Sequence, residues 1–342
     1  MSKVLLPLSY IYKLISAIHR KTATPVRLPR PVVSVGNITW GGTGKTPVLI
    51  AIASRLESAG LKTAVLTRGY ARKSASNKSV IVSDGNEILS SPAEAGDEPF
   101  LLAEKLRKTA VVSGPDRAAS AALITKIFSP DVFMLDDGFQ HWKIKRDMDI
   151  VCVNASNPFG NGLLIPAGIL REEVSSLSRA DEIIITNADT VGTGELSALE
   201  ERIRGVSGKT PSKIKYKISF FTNLMRNEVT GPEHFKGKEI AALSGIGENS
   251  GFKRVLENLG IMVSTHYCFG DHHWYAYDDL KKALSGGLNV LVTEKDAVKI
   301  RPLLRLLKAE EADRVYSAAV ETEFIGGERD WQSFAEKIKR FS

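Results

Sequence analysis

Residues Pro31 to Pro47 read PVVSVGNITWGGTGKTP. The apolar run Val32-Val33-Ser34-Val35 empties into a glycine-rich turn, then Gly44-Lys45-Thr46, then an apolar-periodic segment from Val48 to Leu56. That order predicts a strand, a phosphate loop and a helix. Glycines at Gly41, Gly42 and Gly44, around Thr43, let successive backbone N–H groups curl about a phosphate. The helix N-terminus adds partial positive charge, and Lys45 reaches the β/γ oxygens. Thr46 offers a hydroxyl to Mg²⁺. The leading glycine of such loops, five residues before Gly44, is Thr39 here. A glycine-rich turn that binds nothing is the plainer alternative, and the strand–helix context weighs against it.

Outward from this stretch, 342 residues exceed one ordinary core and suggest about two domains. The composition, 43% hydrophobic and 25% charged, is that of a globular protein. Lys and Arg number 46 against 39 Asp and Glu, a net charge of +7. Residues 1–30 hold Lys3, Lys13, Arg20, Lys21, Arg27 and Arg30 with no acid, and the first carboxylate is Glu57. The excess therefore sits in one N-terminal arm. That argues against a nucleic-acid protein with a broad basic face and for one local anionic partner. Cys152 and Cys268 have no metal-binding spacing and read as reduced structural thiols in apolar contexts. No run reaches the ~18 apolar residues of a spanning helix, and Lys13 interrupts the apolar stretch that a secretory signal would need.

Leu8, Ile11, Tyr12, Ile15 and Ile18 recur at helical spacing, with Ser9, Lys13, Ser16 and Arg20 as a polar stripe. Pro7 is tolerated in the first turn of such a helix. An apolar face with basic flanks suits a membrane interface bearing anionic lipid, and packing on the protein's own core is the alternative. After the phosphate loop, Lys62–Leu66 reads as a strand ending in Thr67-Arg68-Gly69-Tyr70. Residues 71–96 lack periodicity, with Asp84-Gly85 as a hairpin turn, and a loop region of that length is usually functional. Gly96-Asp97-Glu98-Pro99 opens a helix with acids at its N-terminus. Strands follow at Ala110–Val112, Val132–Leu135, Ile150–Val153 and Ile183–Ile185, with helices expected between the first three. The alternation predicts an α/β fold with a mostly parallel sheet covered on both faces.

Tyr216–Phe221 alternates as a connecting strand would, and a second, smaller α/β pattern occupies the remainder. Its strands are expected at Ile240–Leu243, Ser264–Cys268 and Val290–Val292, with helices at Gly251–Leu259 and Asp278–Leu284. The expected division is an amphipathic segment 1–25, a nucleotide-binding domain 26–213 and a second domain 214–342, joined by a short β linker.

Val132 to Asp137 is an apolar strand ending in two carboxylates, about 90 residues after Thr46. In a parallel sheet that end lies beside the phosphate loop, where Asp136 or Asp137 can hold Mg²⁺ with Thr46. Gly138-Phe139-Gln140-His141 adds polar groups at the same edge. Asp97 reads locally as a helix cap or an active-site acid. Arg68 and Arg117 follow strand ends and are either anion contacts or surface charge. In Asp271-His272-His273, adjacent histidines share no helix face, and no nearby Cys/Glu pattern gives metal spacing. A single imidazole at a cleft fits better than a metal centre. Thr293-Glu294-Lys295-Asp296 ends a strand of the same half.

In series, Gly36-Asn37 with Gly41 to Pro47, Thr67-Arg68-Gly69-Tyr70, Gly96-Asp97-Glu98-Pro99, Asp136 to His141, Asp271-His272-His273 and Thr293 to Asp296 resemble tetraacyldisaccharide 4′-kinase, the lipid A 4′-kinase of Gram-negative bacteria. The resemblance covers nearly the whole chain, and the family's loop also places its glycines late, as Thr39 requires. It implies a phosphate-loop fold with two α/β domains around a catalytic cleft. It also implies transfer of the γ-phosphate of ATP to the 4′-hydroxyl of a tetraacyldisaccharide 1-phosphate, with Mg²⁺, at the cytoplasmic face of the inner membrane. By position, Asp97 and His272 match the family's acid–histidine pair, Asp136 and Asp137 its Mg²⁺ region, and His141 a further active-site residue. Asn37, Arg68, Tyr70 and Arg117 would contact substrate, and Glu294 and Lys295 would lie near the nucleotide base. No obligate protein partner is implied. A membrane-associated partitioning-type ATPase also joins such a loop to an amphipathic helix, but its signature lysine before the glycine pair is Trp40 here. A non-catalytic nucleotide-binding adaptor would not need Asp97 and His272.

Overall fold

The computed structural model describes residues 2–69, 72, 78–325 and 336. Of the residues singled out above, Tyr70 lies outside the described residues. The strands are β1 Val32–Asn37, β2 Thr63–Thr67, β3 Val80–Asp84, β4 Ala110–Ser113, β5 Val132–Asp136, β6 Met148–Asn154 and β7 Glu182–Thr186, followed by β8 Ser212–Asn223, β9 Val229–Thr230, β10 Glu239–Ser244, β11 Met262–Cys268, β12 Asn289–Thr293 and β13 Val315–Phe324. The helices that matter for the site are α1 Leu6–Thr22, α2 Lys45–Ser58, α3 Pro92–Ala95, α4 Asp97–Lys105, α5 Arg117–Ile124, α6 Thr193–Ser207, α7 Asn249–Asn258, α8 Tyr277–Leu284 and α9 Glu294–Ile300. One continuous sheet runs β11-β10-β12-β13-β8-β7-β6-β1-β5-β2-β4-β3, with β9 paired to β8. Its pairings are parallel except β3 with β4, β8 with β13 and β8 with β9.

Strands this apolar must be covered on both faces, and alternation decides what covers them. From β5, Met134 points into a core with Val33, Val35 and Leu49 of α2, while Phe133 and Leu135 join Leu66, Ala121 and Ile124 on the α5 side. The second half repeats the device. Leu243, Val290 and Val292 pack with Leu280 and Ile300, whereas Ala242 and Leu291 pack with Phe252 and Leu256 of α7. The long antiparallel pair β8–β13 belongs to both halves: Ile214 and Phe324 enter the first core, and Phe221 and Tyr316 enter the second.

Two expectations fail, each for a local reason. No helix separates β5 from β6; residues 137–147 cross beside β1 in turns. The crossing is pressed onto the sheet. A Cβ on Gly36 would stand 2.6 Å from the Phe139 Cβ, and one on Gly138 would stand 2.7 Å from the Ser34 hydroxyl. A helix has no room there. Cys152 is buried, which pushes its thiol up to about 12, but Cys268 is exposed because β11 is the sheet's edge strand.

Helix α1 docks in the reverse of the usual sense. Its polar stripe faces the protein: the Ser9 hydroxyl donates to the Leu164 carbonyl (2.8 Å) and accepts from Ala167 N–H (3.1 Å), and Lys13 pairs with Glu173 at 2.5 Å. Tyr12, expected on the apolar face, is half-buried and donates to the Arg171 carbonyl at 3.1 Å. Leu8, Ile11, Leu14, Ile15 and Ile18 point outward, each at least half exposed. Among the described residues no helix is long and apolar enough to cross a membrane.

Candidate active site

The loop after β1 is held by backbone geometry that favours glycine at two points, Gly41 with φ 109° and Gly44. Gly44 has φ 71° and N-caps α2, and a Cβ there would meet the Tyr216 hydroxyl at 1.9 Å. Four side chains then fix the loop. Asn37 Nδ2 donates to Thr43 Oγ1 (2.8 Å), Thr186 Oγ1 to the Thr43 carbonyl (3.0 Å), Tyr216 OH to the Gly44 carbonyl (3.0 Å) and Asn154 Nδ2 to the Gly42 carbonyl (3.4 Å). Asn37 is therefore buried beneath the loop. From the second half, Gly247 lies over Gly42, where a Cβ on Gly247 would stand 2.9 Å from the Gly42 nitrogen.

Parallel pairing of β5 with β1 brings Asp136 and Asp137 to the same sheet edge as Lys45. Lys45 Nζ stands 3.4 Å from Asp137 Oδ1, and Arg171 donates to Asp137 Oδ2 at 2.8 Å. Burial alone would raise the Asp137 carboxyl; Lys45 and Arg171 outweigh it and hold it down at about 2. Asp136 goes the other way, pushed up to about 6 by burial and then by the charges of Glu98 and Asp137. Carboxylates crowded to that degree are the oxygen-donor chemistry a hard divalent cation relieves. Thr46, in the first turn of α2 next to Lys45, is the neutral hydroxyl oxygen that segment offers. Asp137 Oδ1 is buried without a hydrogen-bond partner, so the residues present fit Mg²⁺.

Asp97 is the first residue of α4 and is 2% exposed. His272 sits in the loop before α8 with φ 61° and directs Nδ1 at both Asp97 oxygens, 3.0 and 3.1 Å away. The contact assigns the proton to Nδ1 and leaves Nε2 with its lone pair. Lys295 Nζ lies 3.4 Å from that Nε2, and bonds Glu98 (2.8 Å) and Asp271 (3.0 Å). Lys299, fully buried, donates to Asp97 Oδ2 at 3.0 Å and stands 3.5 Å from Asp296. Burial would raise the Asp97 carboxyl, yet His272, Lys295 and Lys299 hold it well below the usual range. Burial would lower the His272 imidazole, and the hydrogen bond to Asp97 reverses this and raises it. Burial would likewise lower Lys295, but Glu98, Asp97 and Asp271 carry it upward. Glu98 touches Lys295 and also acts on Asp136, so the histidine cluster and the paired carboxylates are electrostatic neighbours.

The remaining candidates separate. His273 turns away from the cluster, stacked on Phe269 and bonded to Asp279 at 3.1 Å. Lys295 stands against His272. Glu294 is taken up by an ion pair with Lys105 and accepts from Val320 N–H at 3.2 Å. Arg117 is buried, donates to the Gly114 carbonyl (3.0 Å) and the Asp136 carbonyl (3.4 Å), and is lowered to about 10 by burial. Arg68 is exposed after β2, close enough to act on Arg117. His141 lines a recess of about 430 Å³ with His19 and Asp116, and burial followed by Arg117 lowers it to about 4.

Sequence reasoning missed Arg171, Lys299, Asn154, Thr186 and Tyr216 as supports of the site. Lys299 had a signal, lying four residues after Lys295 on one helix face. Tyr216 had only the alternation of its strand, and Arg171 had none.

The family described as "LpxK: Tetraacyldisaccharide-1-P 4′-kinase" matches residues 1–340. The tetraacyldisaccharide 4′-kinase of Anaeromyxobacter dehalogenans strain 2CP-C is 40% identical over 306 residues, covering 88% of this chain and 80% of that protein. The Halothermothrix orenii protein of the same name is 36% identical over 312 residues, covering 85% and 81%. A crystal structure of LpxK from Aquifex aeolicus, described as in complex with ATP, superposes with a TM-score of 0.78 at 31% identity, covering 100% of this chain and 99% of that one. With its phosphate loop, paired carboxylates and acid–histidine contact in one sheet-edge cleft, this chain belongs to the tetraacyldisaccharide-1-phosphate 4′-kinase family.

Proposed function

We propose that the chain transfers the γ-phosphate of ATP to the 4′-hydroxyl of a tetraacyldisaccharide 1-phosphate in lipid A biosynthesis, with the work divided between the two edges of its cleft. The observation that carries the division is the contact between Asp97 and His272, residues 175 positions apart joined at 3.0 Å. A sugar hydroxyl is a poor nucleophile at neutral pH and needs a positioned base. His272 Nε2 takes the hydroxyl proton as the new P–O4′ bond forms and the β–γ bridge to ADP breaks. Asp97, ionised and bonded to Nδ1–H, stabilises the imidazolium that results. Lys45 and the loop N–H groups hold the β/γ-phosphate oxygens. Phosphoryl transfer is helped chiefly by such positioning and charge neutralisation. Mg²⁺ held by Thr46, Asp136 and Asp137 would supply further charge neutralisation on the nucleotide. Asn37 and Thr186 keep the loop in shape, Arg68 and Tyr70 would contact substrate, and Arg117, buried, braces the Asp136 carbonyl.

The outward apolar face of α1 supports a second reading: the helix lies in the cytoplasmic leaflet of the inner membrane, its exposed leucines and isoleucines among the acyl chains and the exposed Lys21 toward anionic headgroups. The direct test is ADP release and lipid phosphorylation with and without the acylated disaccharide phosphate, each with Mg²⁺ or EDTA. Acceptor-dependent, EDTA-sensitive turnover is expected, and ATP turnover indifferent to the acceptor would overturn the kinase reading. Deleting residues 1–25 should abolish most salt-sensitive sedimentation with anionic vesicles while nucleotide binding survives. Equal sedimentation of the two proteins would remove the membrane reading alone.

A further inference from the structure

Between α1 and the turn Val174–Arg179 lies a recess of about 370 Å³ that the chemistry at Lys45 leaves unused. Lys13, Arg20, Arg171 and Arg179 line it against two carboxylates, Glu172 and Glu173, so its walls are net cationic. Three of the cations are engaged: Lys13 with Glu173, Arg179 with Glu172, and Arg171 with Asp137. Arg20 differs. Its guanidinium lies over the Trp142 ring at 5.0 Å, with Arg179 over the same ring at 4.9 Å, and among the described residues it has no ion pair. Ser16, Ser175, Ser176 and Ser178 add hydroxyls to the walls. Ser176, only 8% exposed, has a buried Oγ with no hydrogen-bond partner. A buried hydroxyl without a partner costs free energy unless something completes it. Guanidinium and hydroxyl donors around one net-positive recess are the chemistry of a phosphate site.

Two placements say which phosphate. Arg171 lines the recess and also bonds Asp137, which faces Lys45, so the recess adjoins the transfer site through one side chain. The opposite wall is α1, whose other face is apolar and exposed. An amphiphile with its reacting hydroxyl at Lys45 and its far end at the recess would keep its acyl chains along that apolar face. We propose that the recess seats the anomeric phosphate of the acceptor lipid, held by Arg20 and the Ser176 hydroxyl; this rests on the reading above that the acceptor is a disaccharide 1-phosphate. Arg20 and Ser176 thereby set the preference for an acceptor phosphorylated at that end.

The test compares two acceptors in neutral-detergent micelles, the acylated disaccharide 1-phosphate and the same lipid dephosphorylated at the anomeric position. The native protein should prefer the phosphorylated acceptor. Arg20→Gln should raise KM for it about tenfold, the usual scale for losing a charged hydrogen bond, with no comparable rise for the dephosphorylated lipid. Ser176→Ala should act in the same direction but less, and Arg20→Lys should recover part of the preference. Equal changes for both acceptors, or none, would overturn the proposal while leaving the kinase reading intact. A variant with unchanged micellar KM but weaker binding to anionic phospholipid vesicles would assign the recess to a bilayer headgroup and overturn it too. If the native protein phosphorylates neither lipid, the kinase reading falls and the recess proposal falls with it.

Discussion

The phosphate loop and the seam between α4 and α9 reach rigidity by opposite routes. The loop is written in consecutive residues, and its supports are single neutral hydrogen bonds from Asn37, Thr186 and Tyr216 to its own side chains and carbonyls. The seam is written in residues about two hundred positions apart and is held by charge. Asp97 pairs with Lys299, Glu98 with Lys295, Glu104 with Arg301 and Lys105 with Glu294. A loop that must close on phosphate keeps its N–H groups uncommitted, so its scaffold bonds carbonyls and leaves anion-binding donors available. A seam that holds an imidazole beside a carboxylate creates an environment that shifts proton affinities, and buried charge does so.

The largest effect expected from breaking this contrast lies in the loop. Lys45→Ala removes a charged contact that no neutral support replaces. It should lower kcat by about a thousandfold or more, the scale seen when one preorganised stabilising group is lost from a transfer site. Melting temperature should change little, because Lys45 is bonded only loosely to Asp137. Lipid phosphorylation within tenfold of the native rate would show that the loop does not hold the transferred group.

The next effect lies across the seam, and it sharpens the comparison because charged partners act as a unit. Asp97→Ala and His272→Ala should each reduce kcat by roughly a hundredfold to ten-thousandfold, the usual worth of a positioned base. The double variant should be little worse than the poorer single one. His273→Ala, which disturbs the Asp279 contact and the stacking on Phe269 but nothing at Asp97, should be mild. The pH profile gives an independent reading. The His272 imidazole is raised, so it becomes the neutral base only above the ordinary histidine range, and activity should fall on an acid limb there. In Asp97→Asn, burial and Lys295 both push the imidazole down, and the residual activity should keep its plateau to lower pH. An unmoved limb would break the assignment. For stability the signs differ. The depressed Asp97 contributes stability present above about pH 3.9 and lost as pH falls below it. The raised His272 contributes stability present below about pH 6.5 and lost as pH rises through its folded value.

The same contrast explains what was legible in the sequence. Residues 31–47 gave strand, loop and helix correctly because every determinant is local, and the apolar strand before Asp136 was legible for the same reason. His272 could be suspected beside Asp97 only through the resemblance, since no period links positions 175 apart. The choice between His272 and His273 needed the structure, where one faces Asp97 and the other Asp279. Arg171 was invisible because its value comes from α1 and β5 arriving together around residues 164–173. The missing helix between β5 and β6 was misread because Gly36 and Gly138, which admit the tight crossing, look like ordinary turn glycines until Phe139 is seen on them.

The smallest expected effect tests whether seam charges matter by burial or by number. The Lys299 side chain is fully buried and holds Asp97 and Asp296 together; Lys299→Met takes the buried cation from two buried carboxylates, leaving Asp97 with His272 and Asp296 with its hydrogen bonds, and should cost about 3–5 kcal/mol. Arg301 and Glu104 form the outer pair, 40% and 26% exposed, at 2.5 Å. At that exposure water already solvates both ions and salt screens them, so Arg301→Gln should cost no more than about 0.5 kcal/mol, less at high ionic strength. Denaturant midpoints for the two variants in low and high salt decide the point. If Arg301→Gln costs as much as Lys299→Met, the seam is a collective ion network in which every pair counts. If it is near zero and only Lys299→Met is severe, the seam is one buried triad around Asp97 with a solvated rim. The buried side chains favour the triad, which under the proposed mechanism makes Lys299 a positioning residue for Asp97.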